Sequence, residues 1–138
     1  MYTRPPPTKD AFRAVFRVDS VSGVKNDPSR VVNIGSIVGH RGFLHLSGYA
    51  STKSAIEGLT KSLSIEFADK KIRFNTVNPG FTKTSFYKKF KISKKKLYNW
   101  TISKIPMKRW GDSKEVSELI CFLLSDKSSY ITGQSINI

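Results

Sequence analysis

Apolar positions change their spacing from segment to segment along this chain, and the spacing names the elements. Arg30 to Ser36 holds the run Val31-Val32-Asn33-Ile34-Gly35, rich in β-branched residues, and reads as a buried strand closed by glycine. From Ser47 to about Ala68 the pattern becomes helical. Ala55, Ile56, Leu59, Leu63 and Phe67 recur at three- and four-residue intervals and predict one apolar stripe, with Lys61 and Glu66 solvated away from it. Ile72 to Val77 reads as a second strand, entered from the polar turn Asp69-Lys70-Lys71 and stopped by Pro79-Gly80. Asp112-x-x-Glu115 has the form of a capping box and opens a helix over Ser113–Ser125, with Val116, Leu119, Ile120 and Leu123 as its buried face. Gln134 to Ile138 is a last short strand. Residues 1–29 form an irregular leader: Pro5-Pro6-Pro7 is extended, Ala11 to Val18 is a short helix or a strand, and Ser20 to Pro28 is a loop. Strands alternating with helices place the chain in the α/β class.

At 138 residues the chain is one domain at most. The longest apolar run, Leu119 to Leu124, is far too short to cross a membrane, and the opening Met-Tyr-Thr-Arg-Pro-Pro-Pro has no apolar signal core. The expected location is therefore the cytoplasm, with no membrane partner. The lone cysteine, Cys121, excludes an internal disulfide and reads as a reduced core residue of the last helix.

Charge changes the picture. Twenty-four Lys and Arg against ten Asp and Glu give +14, which raises nucleic acid or an acidic partner. No Asp or Glu occurs between Lys70 and Gly111, and lysines crowd Lys83 to Lys96, interleaved with Phe86, Tyr87 and Phe90 and followed by Tyr98 and Trp100. Such a mixture suits base stacking. It equally suits a lid whose aromatic face covers an apolar pocket while its lysines face water. The lid is favoured, since no nucleic-acid motif accompanies the charge.

Tyr49 and Lys53 stand four residues apart, one turn of helix, which puts an ammonium beside a phenol. Ser36, thirteen residues upstream of Tyr49, ends the first strand. In an open α/β sheet these three groups converge at the strand ends, where such folds do their chemistry. His40 and His45 fit no zinc-helix spacing, so no metal site is expected; they read as loop residues facing substrate.

Asn33-Ile-Gly-Ser36, Tyr49-Ala-Ser-Thr-Lys53, Asn75-Thr-Val-Asn-Pro-Gly-Phe-Thr-Lys-Thr84 and the tail Pro106 to Gln134 together resemble the catalytic half of the short-chain dehydrogenase/reductase family, 3-oxoacyl-[acyl-carrier-protein] reductases among its members. The resemblance covers residues 30–138. It implies a partial Rossmann-like, doubly wound parallel sheet lacking the N-terminal glycine-rich βαβ unit. It implies hydride transfer between NAD or NADP and an alcohol or ketone, with Ser36, Tyr49 and Lys53 as catalytic residues and Tyr49 as general acid/base. Tyr49, Lys53, Pro79, Gly80, Thr82 and Thr84 are the implied cofactor contacts, and residues 85–110 match the family's substrate lid in position.

The glycine-rich turn that holds a dinucleotide pyrophosphate does not occur in the sequence, nor does an Asn-Asn-Ala-Gly segment. A truncated reductase, active or inactive alone, is therefore expected, with a first strand that has lost a neighbour and invites homo-oligomers or pairing through an exposed sheet edge. The alternative is a non-catalytic remnant that binds a partner or nucleic acid.

Overall fold

The computed structural model describes residues 29–85 and 94–138. The expected leader and the lid residues Phe86, Tyr87 and Phe90 lie outside the described residues.

Three strands form one parallel sheet in the order β1 (Arg30–Ile34), β2 (Arg73–Asn78), β3 (Ser135–Asn137). Val31 lies opposite Phe74 and Asn33 opposite Thr76, while Thr76 on its other side faces Ser135. Parallel neighbours need crossovers, and helices supply them. Helix α1 (Ser47–Glu66) joins β1 to β2; α2 (Lys94–Ile102) and α3 (Ser113–Leu123) lie between β2 and β3. All six residues of β2 are buried, as befits a central strand. Its side chains alternate between faces: Thr76 and Asn78 meet α1, while Arg73 and Asn75 meet the segment around α3 and the approach to β3. The result is an α/β unit, a partial Rossmann-like doubly wound sheet with helix on both faces.

The expected apolar stripe of α1 is corrected by the structure. Its buried residues are Ile56, Glu57, Thr60 and Ser64, whereas Ala55 is exposed and Leu59, Leu63 and Phe67 are half-buried. The reason is a polar seam between helix and sheet. The Thr60 hydroxyl donates to Ile56 O (2.8 Å) and accepts from Asn33 Nδ2 (2.8 Å) and Thr76 Oγ1 (2.7 Å). One donor and two acceptor positions are all used, so burying this group costs little. Beyond the seam, the Phe67 ring packs on Phe74 at 5.7 Å.

On the opposite face, Arg73 binds main-chain carbonyls of Leu123, Ser125 and Ile131, each at 3.0 Å. Two of these lie at the end of α3, where helix carbonyls lack intrahelical partners. Burial is the main cause that lowers the Arg73 pKa; neighbouring Arg30 lowers it further, and Asp126 opposes both. Helix α3 begins as expected, with the Asp112 N–H donating to Glu115 Oε2 at 2.8 Å. Leu123 is fully buried on its inner face, but Cys121 is exposed and not a core residue as expected, because it points off the side that Leu123 occupies. Among the described residues, no helix is long and apolar enough to cross a membrane.

Candidate active site

Lys53 sits one turn after Tyr49 on α1, and its ammonium lies 5.7 Å from the centre of the Tyr49 ring. Its Nζ donates to the carbonyl of Ile34, the last residue of β1, at 2.8 Å. Burial, which disfavours the charged form, lowers the Lys53 pKa from its ordinary value. Tyr49 itself is 38% exposed.

Ser36 follows two residues after Ile34 and is buried. It caps a single turn of 3-10 helix, Ile37–Gly39, with its Oγ accepting from the Val38 N–H at 3.2 Å. A hydroxyl that accepts there retains its proton for donation elsewhere. The turn rests directly on α1: a Cβ at Gly39 would lie 3.2 Å from the Lys53 carbonyl carbon, and Ser54 Oγ donates to Gly39 O at 2.7 Å. Glycine permits this approach, and the approach sets Ser36 beside the helix that bears Tyr49 and Lys53.

Pro79-Gly80 ends β2 against the same turn, with Ile37 N–H donating to Pro79 O at 3.3 Å. Thr82 is buried, donates to Gly80 O at 3.3 Å and forms a parallel bridge with Gly111; Thr84 is exposed. Above these residues lies an aromatic group. Phe43, Phe81 and Trp100 meet edge to face at 6.4–6.5 Å, and Phe81 stacks on the buried Trp110 at 6.1 Å. They tie α2 to the loops on either side of the site, while Lys95, Lys96, Lys104 and Lys108 are exposed. Two surface depressions, one around Arg109 and Glu118 and one around Arg30 and Tyr130, include none of Ser36, Tyr49 and Lys53.

Sequence reasoning missed a cluster behind Ser36. The exposed His40 meets the buried Glu57, its Nε2 lying 2.9 Å from Glu57 Oε1, while Asn78 Nδ2 donates to Glu57 Oε1 and to Asn137 Oδ1, each at 3.2 Å. A signal was present: Tyr49, Lys53 and Glu57 continue a four-residue step along one helix face. Among the described residues, no group of three or more His, Cys, Asp or Glu is arranged for a metal ion.

Residues 11–138 match the family model described as Enoyl-(Acyl carrier protein) reductase. The chain belongs to the short-chain dehydrogenase/reductase family. Within the family it is 42% identical over 117 residues to a 3-oxoacyl-[acyl-carrier-protein] reductase of Buchnera aphidicola subsp. Schizaphis graminum, covering 85% of this chain and 47% of that protein. It is 40% identical over 103 residues to a cyclohexanol dehydrogenase of an Acinetobacter species, covering 75% of this chain and 39% of that one. Its structure superposes on 4-hydroxyisoleucine dehydrogenase complexed with NADH with a TM-score of 0.76 at 31% identity, over 80% of this chain and 45% of the other. The chain thus spans about half the length of the curated relatives it matches.

Proposed function

We propose that this chain carries the hydride-transfer site of an NAD(P)-dependent oxidoreductase acting on an alcohol or ketone. The observation that supports it most is the placement of Lys53, whose ammonium spans from the Tyr49 ring to the end of β1. The nicotinamide, when bound, supplies the hydride in reduction and takes it up in oxidation. In reduction, Tyr49 gives its phenolic proton to the substrate oxygen; in oxidation, it takes the proton back from the alcohol. Lys53 stabilises the phenolate by its positive charge. Ser36, with its Oγ already accepting from Val38, donates to the substrate oxygen and polarises it.

The residues at this end fit a nicotinamide ribose and ring. Lys53 is the donor for the ribose with Tyr49 beside it, and Pro79, Gly80, Thr82 and Thr84 border the ring. Half-burial of Pro79 and Gly80, with the nearest atoms to the space a Gly80 side chain would take at 3.4 Å or more, supports close approach there. The sequence holds no glycine-rich turn for the pyrophosphate. The exposed lysines of α2 favour a substrate or carrier bearing negative charge, and neutralising Lys95 and Lys96 would then slow turnover.

The reading is tested by turnover of a secondary alcohol with NAD or NADP. Tyr49→Phe reduces the rate by about 10²-fold or more, as loss of a general acid/base does; unchanged turnover removes Tyr49 from this role.

A second reading rests on β1, which among the described strands pairs with β2 alone and leaves Ile34 39% exposed. A strand edge of this kind takes another strand. Sedimentation showing a homo-oligomer supports that reading, and a monomer at high concentration refutes it.

A further inference from the structure

His40 and Ser36 stand at the two ends of the same helical turn, Ser36 as its first cap and His40 as its last. Ser36 is held by the Val38 amide at 3.2 Å, a contact that exists only while the turn is wound. Two contacts tie the turn to α1: Ser54 Oγ to Gly39 O at 2.7 Å, and His40 Nε2 to Glu57 Oε1 at 2.9 Å.

The second tie has its donors and acceptors fixed by its surroundings. Asn78 Nδ2 lies 3.2 Å from Glu57 Oε1 and 3.2 Å from Asn137 Oδ1, both acceptors, so the amide nitrogen belongs on that side. Its Oδ1 faces the space above Gly35, where an added Cβ would lie 1.8 Å away, and it has no hydrogen-bond partner. The amide therefore cannot turn over without aiming an oxygen at the Glu57 carboxylate. His40 Nε2 also lies 3.0 Å from the Asn78 nitrogen. With a carboxylate at 2.9 Å we assign the ring proton to Nε2, which then donates to Glu57; a bare ring nitrogen there would set two lone pairs against each other. Glu57 is only 8% exposed, and a polar group buried to that degree is costly unless hydrogen-bond donors meet it.

We propose that His40 is a positioning residue for Ser36. By donating to Glu57 it pins the Ser36 turn to the helix that bears Tyr49 and Lys53, with Asn78 holding the carboxylate from the sheet side. This rests on the reading of Ser36 as the donor to the substrate oxygen; His40 itself acts only through the turn.

Two substitutions separate the tie from mere packing. Glutamine places its amide nitrogen where imidazole has Nε2, and asparagine places it one atom short. Hydrogen exchange is measured at the amides of Val38, Gly39, His40 and Arg41, all bonded within the turn. In His40→Asn these four exchange about tenfold faster while β2 amides are unchanged, the size expected for losing one charge-assisted bond. His40→Gln restores the protection. Where turnover is measured, kcat falls about tenfold in His40→Asn with KM within about twofold, and His40→Gln recovers it.

Unchanged exchange in His40→Asn overturns the proposal. So does equal acceleration in the turn and in β2, failure of His40→Gln to rescue, or kcat unmoved in the presence of a loosened turn. A wild-type chain that turns over no substrate refutes the role of Ser36 instead, and the exchange data then still decide whether His40 holds the turn.

Discussion

The ammonium of Lys53 donates to the main-chain carbonyl of Ile34 over 2.8 Å, so the helix that carries Tyr49 is bonded to the end of the strand that leads into Ser36. A helix residue and a strand residue nineteen positions apart thereby fix the spacing of the candidate site. Replacing Lys53 by Met removes the bond but also the cost of burying the charge. Unfolding by denaturant is expected to change by no more than about 1 kcal/mol, while turnover with NAD or NADP is lost. A large loss of stability in this variant means that Lys53 is held for structure.

Gly35 is predicted to tolerate no side chain. A Cβ there would lie 1.8 Å from Asn78 Oδ1 and 2.9 Å from Thr76 Cγ2. Gly35→Ala is expected to cost about 1–3 kcal/mol, the usual range for overpacking. Adding Asn78→Ala should return part of that stability by vacating the space, although it also removes the donor to Glu57. Thermal unfolding of the single and double variants decides this, and independent, additive losses contradict it.

Arg73 joins the sheet to the end of α3 through three carbonyls. Arg73→Met leaves those carbonyls without their donor in a buried place, and the expected loss is about 3 kcal/mol. Arg73→Lys recovers only part, since one ammonium cannot reproduce the spread of a guanidinium. Equal stability of the Lys and Arg proteins would show that the geometry of the fork does not matter.

Acid should loosen the start of α3. Glu115 accepts from Arg109 at 2.6 and 2.8 Å and from the Asp112 amide at 2.8 Å, and these bonds hold its pKa at about 2, below the ordinary 4.5. A carboxyl with a depressed folded pKa contributes fully above its unfolded value, and that contribution drains away as pH falls through the folded one. The window is therefore from 4.5 down to about 2. Unfolding curves taken through that range should steepen in their loss for the native chain and less so for Glu115→Gln.

Strands and helices were legible because each has a single dominant period. The run Val31 to Ile34 and the stop at Pro79-Gly80 marked β1 and β2 to within a residue or two. Helix α1 was legible in extent but not in orientation. Its buried positions are largely polar and satisfied by hydrogen bonds, so hydrophobic periodicity selected the neighbouring stripe of Leu59, Leu63 and Phe67. Cys121 misled for a similar reason, since an apolar run cannot say which of its members faces outward. The proximity of Tyr49 and Lys53 follows from helix geometry alone. The cluster of His40, Glu57, Asn78 and Asn137 does not, for it joins four segments and forms only once the sheet has assembled.

The central claim is a working nicotinamide site around Tyr49 and Lys53, and titration with NADH and NADPH followed by nicotinamide fluorescence tests it most directly. Saturable binding that favours one of the two and weakens in Lys53→Met is the predicted result. A demonstrably folded protein that binds neither would contradict it.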